Sequence, residues 1–348
     1  EALFELFISI LRIQEKFNLC SIFYTIKYLL RIIILYIFVE DNLETLTNIF
    51  WIITFTQFIF LIPLIVIFYK YLNFLNLKKT KKIFSLGINI SILGILSYFS
   101  NFADRFLIVH KLNLETLTPY VLAFSIGGCI SIVYSAIGFT LFPRLSKFKT
   151  NDVFLSQHFE TSLLTYIFIG CSGVTFLTSQ GPNIIYVLTS YNFVISKLVF
   201  LFVSISIFLN GIQQLIQYFQ IIKSNLLSTQ IAILISGIIC FFMNWFYLED
   251  YGIEFAAIMI SLGSFLTILI IIFLDNKKIP KIRKKILFKF IIFSVISAYL
   301  ADLIEIDQKV LTIIILKFLL QSIFLLTLDY FFGKDFFNII FKKMYKNV

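Results

Sequence analysis

Apolar runs of about 20 residues recur along the whole chain, and this recurrence restricts the fold more than any other feature. Ten runs are predicted as transmembrane helices, and residues 1–13 are predicted to be the end of an earlier helix. With 59% hydrophobic and 14% charged residues, the composition is not that of a water-soluble domain. The sequence therefore predicts an all-α, polytopic transmembrane helical bundle. The predicted spans are 22–39, 46–69, 84–107, 119–142, 161–179, 196–221, 227–247, 253–274, 285–304 and 309–332.

Charge alternates between successive segments that connect these spans. The strongest basic segment is 277–285, whereas 249–254 and 302–307 on either side of it are acidic. Because Lys and Arg are retained on the cytoplasmic side, this alternation places both ends of the chain in the cytoplasm, with the spans in the cytoplasmic (inner) membrane. The net charge of +10 is then a consequence of topology, and a nucleic-acid partner is not expected.

The sequence contains none of the motifs that carry covalent or metal chemistry. It has no Gly-rich phosphate loop, no HExxH and no CxxC. His110 and His158 stand alone in predicted loops, and the four cysteines are far apart. We therefore expect no catalytic residue, no metal site and no cofactor, and a protein that is not an enzyme.

Five of the cations within or at the edge of predicted spans are candidate site residues. A charge at the centre of a span costs about 2.5–3.5 kcal/mol on insertion scales, so such side chains usually face a partner or a watery cavity. Lys27 and Arg31 are one turn apart on one helix face, and Arg31 lies about 14 Å from the membrane edge. Snorkelling to the interface is the alternative for those nearer an edge. The five are Lys27, Arg31, Arg105, Lys197 and Lys317.

Amide side chains form a stripe in the span 196–221. Asn210, Gln213, Gln214 and Gln217 follow the spacing of one helix face. Amides suit sugar hydroxyls, whereas guanidinium and ammonium groups suit phosphate. The combination predicts a pocket for an anionic, hydroxyl-rich ligand, and hydrogen bonding between helices is the alternative that the sequence leaves open.

Two of the carboxylates within predicted spans are also candidates. Asp104 is next to Arg105, and Asp329 lies in the last span near its cytoplasmic edge. Either is a candidate site for proton or cation coupling, although Asp104 has an adjacent cation with which to pair.

Two stretches of the sequence resemble a known family. The first has Asp104-Arg105-Phe106, then Tyr120, then Phe142-Pro143-Arg144, and the second has Asn244, Tyr251-Gly252-Ile253 and Ala256-Ala257. Both are similar to oligosaccharidyl-lipid flippases of the O-antigen (Wzx) type, in the multidrug/oligosaccharidyl-lipid/polysaccharide export superfamily. Phe255 stands where that family usually has Gly.

The resemblance implies a MATE-like, two-lobed flippase fold of which this chain lacks about the first three helices. It implies three parts: 1–82 as the remainder of the N-terminal lobe, 83–275 as a six-helix C-terminal lobe, and 276–348 as two additional spans with a basic cytoplasmic tail. The implied substrate is a polyprenyl-pyrophosphate-linked oligosaccharide, moved between leaflets by alternating access. Membrane lipids and polysaccharide assembly proteins are the implied partners.

The resemblance and the polar residues together suggest roles. Sugar is assigned to Asn210, Gln213 and Gln217, ion coupling to Asp104 and Asp329, and pyrophosphate to Lys27, Arg31, Arg105 and Lys317. The main alternative is an ion-coupled multidrug exporter of the same superfamily, which predicts buried carboxylates rather than buried cations. A membrane glycosyltransferase or polymerase would need a large loop, and every predicted loop is short. A purely structural membrane protein would need none of the intramembrane charges.

Overall fold

All regular structure in the described part of the chain is α-helical. The computed structural model describes residues 2–14, 16–39, 46–68, 77–147, 152–189, 193, 195–223, 226–275, 283–303, 310–332 and 336. The predicted all-α class is therefore confirmed. The helices are α1 (Ala2–Ile13), α2 (Phe17–Val39), α3 (Leu46–Phe68), α4 (Leu77–Lys111), α5 (Leu114–Gly127), α6 (Cys129–Lys147), α7 (Asp152–Leu188), α8 (Lys197–Ile222), α9 (Leu227–Asp275), α10 (Lys284–Asp302) and α11 (Val310–Phe332).

Seven stretches of the described residues are long and apolar enough to cross a membrane. One of them holds α5 and α6 together, from Leu114 to Pro143, and another is the whole of α9. The others lie in α2, α4, α7, α8 and α11. The polytopic character predicted from the sequence is confirmed.

The chain divides into two compact units, residues 1–85 and 86–348. In the first unit α1, α2 and α3 all pack against one another. Helix α1 presents one apolar face to its neighbours, with Phe4, Ile8 and Leu11 almost fully buried. This spacing of three and four residues is that of a helix with one buried face.

The second unit is centred on α7 and α8. These two helices pack against each other, α8 packs on α9, and α10 and α11 both pack on α7. Small residues let aromatic rings fit between α7 and α8: a Cβ added at Gly170 would lie 2.6 Å from Phe208 Cδ2. The Tyr166 hydroxyl donates a hydrogen bond to the Phe208 carbonyl oxygen at 2.9 Å, which satisfies the polar end of a buried ring.

The predicted span 119–142 is two helices rather than one. Helix α5 begins at Leu114, where the Asn113 side chain caps it by accepting a hydrogen bond from the Thr116 backbone N–H at 2.7 Å. Helix α5 ends at Gly127 and α6 begins at Cys129. The predicted span starts at Pro119 and ends next to Pro143, whereas both prolines lie inside helices of the structure.

The predicted spans 227–247 and 253–274 form the single element α9. A non-helical residue interrupts it at Gly252, where φ is 66° and ψ is −160°. This backbone conformation is essentially restricted to glycine, and no atom within 4 Å would obstruct a side chain at this position. Gly252 therefore lies at this kink for conformational reasons rather than for lack of space.

Several segments named in the sequence analysis are not described by the structure. They include the basic segments 70–76 and 276–282 and almost all of the tail beyond 332.

Candidate functional site

A buried cation lies between α1 and α2 in the first unit. The Lys27 side chain is 0% exposed, and its Nζ is 3.9 Å from the centre of the Phe4 ring of α1. A cation over an aromatic face is attracted by the ring quadrupole, which offsets part of the cost of burial. The adjacent Glu5 carboxylate accepts a hydrogen bond from the Tyr24 hydroxyl at 2.7 Å. The face of α2 that carries Lys27 is therefore polar as well as buried.

Arg31 lies one turn further along α2 and is bound through only part of its guanidinium. Its Nε donates to Thr56 Oγ1 of α3 at 3.3 Å, and its Cζ is 5.7 Å from the centre of the Tyr28 ring. Its Nη2 is buried without a hydrogen-bond partner among the described residues. A buried donor left unpaired is costly, and a guanidinium N–H forms strong, charge-assisted hydrogen bonds with anionic acceptors.

In the second unit, α4 carries a polar stripe with helical spacing. Ser97, Asn101, Asp104 and Arg105 lie on one side of the helix, and Asn101 contacts α8. Asn210 Nδ2 donates to Asn101 Oδ1 at 3.1 Å, and Ser264 Oγ of α9 lies 3.2 Å from Asn210 Oδ1. Both ends of the Asn210 amide are thus engaged by protein groups. For Asn210 the structure therefore supports hydrogen bonding between helices, which the sequence left open as the alternative to ligand binding.

A small polar cavity lies beside this chain of amides. Its volume is about 20 Å³, which is room for a single water molecule. Gln213, which is 8% exposed, lines it together with Asn101 and Asn210. Gln217 is half-buried and does not line it. The structure therefore brings Asn210 and Gln213 to one cavity and leaves Gln217 outside it.

Asp104 is held by protein donors next to this cavity. It is 5% exposed, accepts a short hydrogen bond from the Tyr120 hydroxyl of α5, and accepts the Arg105 backbone N–H at 2.9 Å. The Arg105 guanidinium lies over two rings, with its Cζ 4.2 Å from the centre of Phe102 and 4.8 Å from that of Phe124. Its Nε is buried without a hydrogen-bond partner among the described residues. Arg105, like Arg31, retains a donor for an anion.

Lys317 and Asp329 lie on α11, away from this stripe. Lys317 Nζ donates to Asp302 Oδ1 at 2.9 Å, at the end of α10. Asp329 is 0% exposed and accepts the Phe336 backbone N–H at 3.1 and 3.3 Å. Helix α11 packs on α7 and α10, whereas Arg105 lies beside α5. The structure thus gives both residues protein partners, and Lys197 is exposed in the first turn of α8.

Several buried polar groups, among them Asn244 and Asp275, were not singled out as candidate site residues by the sequence. Asn244 on α9 is 3% exposed, and its Oδ1 has no hydrogen-bond partner among the described residues. Asp275 is 4% exposed and accepts hydrogen bonds from Gln220 Nε2 at 2.9 Å and from the Ser228 hydroxyl. The only feature of the sequence that pointed to Asn244 was its place in the second resemblance motif. The partners of Asp275 are 55 and 47 residues away, and sequence spacing does not reveal them.

Comparison with known proteins identifies the fold. The sequence matches no protein-family model and no curated protein. The structure is similar to "Lipid II flippase MurJ, inward closed conformation", with a TM-score of 0.67 and 17% sequence identity, over 96% of this chain and 71% of that chain. The chain therefore has the MATE-like flippase fold that the family resemblance implied.

Proposed function

We propose that this protein is a flippase that moves a polyprenyl-pyrophosphate-linked oligosaccharide from the inner to the outer leaflet of the cytoplasmic membrane. The similar structure is that of a lipid II flippase, a protein named for a lipid-linked precursor. The finer proposal, from the sequence resemblance, is an O-antigen or capsule and exopolysaccharide repeat unit. Transport would proceed by alternating access, in which the binding site is exposed to each side of the membrane in turn. Such transport breaks no bond, so the protein is a transporter and not an enzyme.

The observation that carries this proposal is the unpaired Nη2 of Arg31, buried on a helix of a chain with this fold. Pyrophosphate oxygens suit such a donor because guanidinium–phosphate hydrogen bonds are charge-assisted. Lys27 adds a second positive charge on the same helix face. We assign pyrophosphate binding to Lys27 and Arg31 of the first unit, and we keep Arg105 of the second unit as a separate candidate for binding an anion. Lys317 would have to leave Asp302 to join them, so we do not include it.

We assign the contacts with sugar to amide side chains of α8. Asn210 is engaged at both ends of its amide, so we assign sugar binding to Gln213 and Gln217. For ion coupling we keep Asp104, which lies one turn from Asn101 on the polar stripe, and set aside Asp329, which lies on α11 away from that stripe. Partners are the lipid-linked substrate, membrane lipids and polysaccharide assembly proteins.

The competing function is an ion-coupled multidrug exporter. It would use buried carboxylates to bind cationic substrates, and Asp104, Asp275 and Asp329 are buried. Each of them already accepts hydrogen bonds from protein donors, whereas Arg31 and Arg105 keep donors to spare. This asymmetry favours an anionic substrate.

The test is a flipping assay in liposomes that contain a fluorescent polyprenyl-pyrophosphate oligosaccharide and the purified protein. An impermeant quencher added outside reports how much label crosses the bilayer. Replacement of Arg31 by Gln removes the charge and the donor. Hydrogen bonds to charged groups contribute about 1.5–3 kcal/mol, so we expect a loss of about 10–150-fold in initial rate.

The matched control is Arg283→Gln, because that guanidinium is 58% exposed and pairs with Glu160 at 2.7 Å. It should flip at the wild-type rate. Uptake of a cationic dye driven by an ion gradient, with no crossing of the glycan lipid, would replace this proposal by the exporter. Stronger competition by lipid II than by the oligosaccharide lipid would keep a flippase and overturn the O-antigen or capsule assignment.

A further inference from the structure

The Tyr28 ring on α2 lies close to both cations of the proposed pyrophosphate site. Its centre is 5.7 Å from Lys27 Nζ and 5.7 Å from Arg31 Cζ. Tyr28 is 50% exposed, whereas Lys27 is fully buried. A ligand that binds the Arg31 guanidinium therefore has an accessible aromatic ring beside it.

The orientation of the Tyr28 ring is restricted by a tyrosine one turn earlier. The rings of Tyr24 and Tyr28 are nearly parallel, with 10° between their planes and 6.4 Å between their centres. Tyr24 is held from α1, because its hydroxyl donates a hydrogen bond to the Glu5 carboxylate at 2.7 Å. Its ring also meets the Phe4 ring edge to face, with the centres 5.6 Å apart. The aromatic surface beside Arg31 is therefore preorganised through contacts between α1 and α2.

An aromatic ring next to a phosphate-binding cation is suited to a glycosyl phosphate. The C–H groups of a sugar pack against the electron-rich face of an aromatic ring, and a tyrosine hydroxyl exchanges hydrogen bonds with sugar hydroxyls. In a lipid-linked oligosaccharide the first sugar is bonded directly to the pyrophosphate. A pyrophosphate held by Arg31 therefore brings that sugar within reach of the Tyr28 ring, whose centre is 5.7 Å from the guanidinium carbon.

We propose that Tyr28 binds the first sugar of the lipid-linked oligosaccharide while Lys27 and Arg31 bind its pyrophosphate. This inference rests on the proposed function and adds to it a sugar subsite within the first unit. Membrane proteins also place tyrosine at the lipid interface, where the ring packs against lipid of any kind. A sugar subsite differs from such an interfacial ring because it discriminates a glycosylated pyrophosphate from one that carries no sugar.

The test compares the binding of two probes to the full chain in detergent micelles by isothermal titration calorimetry. Both probes are farnesyl pyrophosphate esters, one with N-acetylglucosamine and the other with a methyl group on the terminal phosphate. The lipid tail and the charge are the same, so the ratio of the two dissociation constants isolates the contribution of the sugar. We expect the wild type to bind the glycosylated probe about tenfold more tightly, equivalent to about 1.4 kcal/mol. Equal affinities for the two probes would overturn the inference.

Loss of the Tyr28 ring should remove this preference for the glycosylated probe. In Tyr28→Leu and Tyr28→Met the two probes should bind with nearly equal affinity, whereas Tyr28→Phe retains the aromatic face and should retain most of the preference. The matched control is Tyr36→Leu, because Tyr36 lies about two turns further along α2 and is 70% exposed. It should bind both probes as the wild type does. An unchanged preference in Tyr28→Leu and Tyr28→Met, or an equal loss in Tyr36→Leu, would overturn the subsite.

Arg31→Gln and the flipping assay separate this inference from the proposed function. Arg31→Gln should weaken the binding of both probes by a similar factor, because the pyrophosphate is common to them. A preference that depends on Tyr28, in a protein that flips the glycan lipid, supports both proposals. Normal flipping by the wild type with an unchanged preference in Tyr28→Leu would overturn the subsite and leave the flippase. A preference that depends on Tyr28 in a wild-type protein that flips nothing would keep the subsite and overturn the proposed function.

Discussion

At the scale of single residues, what distinguishes the intramembrane cations is how completely each is paired. Lys317 is bound to Asp302, so its charge is compensated within the protein. Arg31 and Arg105 each keep a buried nitrogen without a hydrogen-bond partner in the described chain. Leaving a buried donor without a partner usually costs more than a hydrogen bond is worth, so each of these nitrogens needs an explanation, such as a bound water, ion or ligand.

The Asp104–Tyr120 hydrogen bond should contribute to the stability of the second unit. In Tyr120→Phe the buried carboxylate loses its side-chain donor and keeps the Arg105 backbone N–H. We expect a loss of about 1–3 kcal/mol in the free energy of unfolding, measured by reversible unfolding in mixed micelles.

A double-mutant cycle controls for the lost hydroxyl itself. In an Asp104→Leu background the carboxylate is gone, and Tyr120→Phe should then cost less than in the wild type. Equal costs in the two backgrounds would show that the hydrogen bond is not what Tyr120 contributes.

The sequence locates the buried polar residues of the site but does not identify their partners. The depth of Arg31 follows from its position in an apolar run, which residue spacing supplies. Its partner Thr56 is 25 residues away, and the partner of Asn210 is 109 residues away. Only the packing of helices brings such pairs together, so the choice between a binding amide and a structural one could not be made from the sequence.

At the scale of elements, the kink in α9 should depend on glycine. Gly252→Ala forces a side chain into a conformation that costs of order 1–3 kcal/mol, although there is space for it. Gly94→Ala should have the opposite effect. Gly94 also has open space around it, but its backbone is helical, a conformation that alanine adopts readily. There the substitution should stabilise α4 by about 0.5–1 kcal/mol. The free energy of unfolding of each variant should therefore fall for Gly252→Ala and rise for Gly94→Ala. Equal changes in the two variants would contradict the role of the positive φ at Gly252.

Helix α11 is attached to α7 by a buried amide. Gln321, which is 3% exposed, donates to the Ser172 carbonyl oxygen at 3.0 Å and to Thr175 Oγ1 at 2.7 Å. Hydrogen bonds between membrane helices are worth about 0.6 kcal/mol on average, so Gln321→Ala should cost about 1 kcal/mol of unfolding free energy.

The control for Gln321 is its neighbour on the same helix. Ser322→Ala removes only a hydrogen bond to the Phe318 carbonyl oxygen within α11, and it should change stability by a few tenths of a kcal/mol. A larger effect for Ser322→Ala than for Gln321→Ala would show that α11 is not held through its α7-facing amide.

Helices were predicted well where the apolar runs are long, and poorly where local signals conflict. The bounds of α8 differ from the predicted span by one residue at each end, and those of α11 differ by one residue at the start and not at the end. The break at Gly128 was missed because 119–142 is apolar throughout, and hydropathy carries no information about a local turn. Pro119 and Pro143 lie inside helices although they stand at the two ends of the predicted span, since membrane helices tolerate proline when other groups satisfy the freed backbone carbonyls.

At the scale of the whole molecule, the order of charged segments predicts which side of the membrane each connecting segment faces. We expect Asp250→Cys to react with an impermeant maleimide in whole spheroplasts and Lys285→Cys to react only in inverted vesicles. Both positions are exposed. The second half of α9 lies between them and extends about 36 Å from Gly252 to Asp275, which exceeds a hydrocarbon core of about 30 Å.

The experiment needs a background in which Cys20, Cys129, Cys171 and Cys240 are replaced by Ala, because Cys129 is itself exposed. Lys223→Cys provides an internal check, since it precedes α9 and should label like Lys285→Cys. Labelling of Asp250→Cys and Lys285→Cys from the same side would mean that the second half of α9 does not cross the membrane. That outcome would remove the alternation of charge on which the topology depends, and with it the assignment of both chain ends to the cytoplasm.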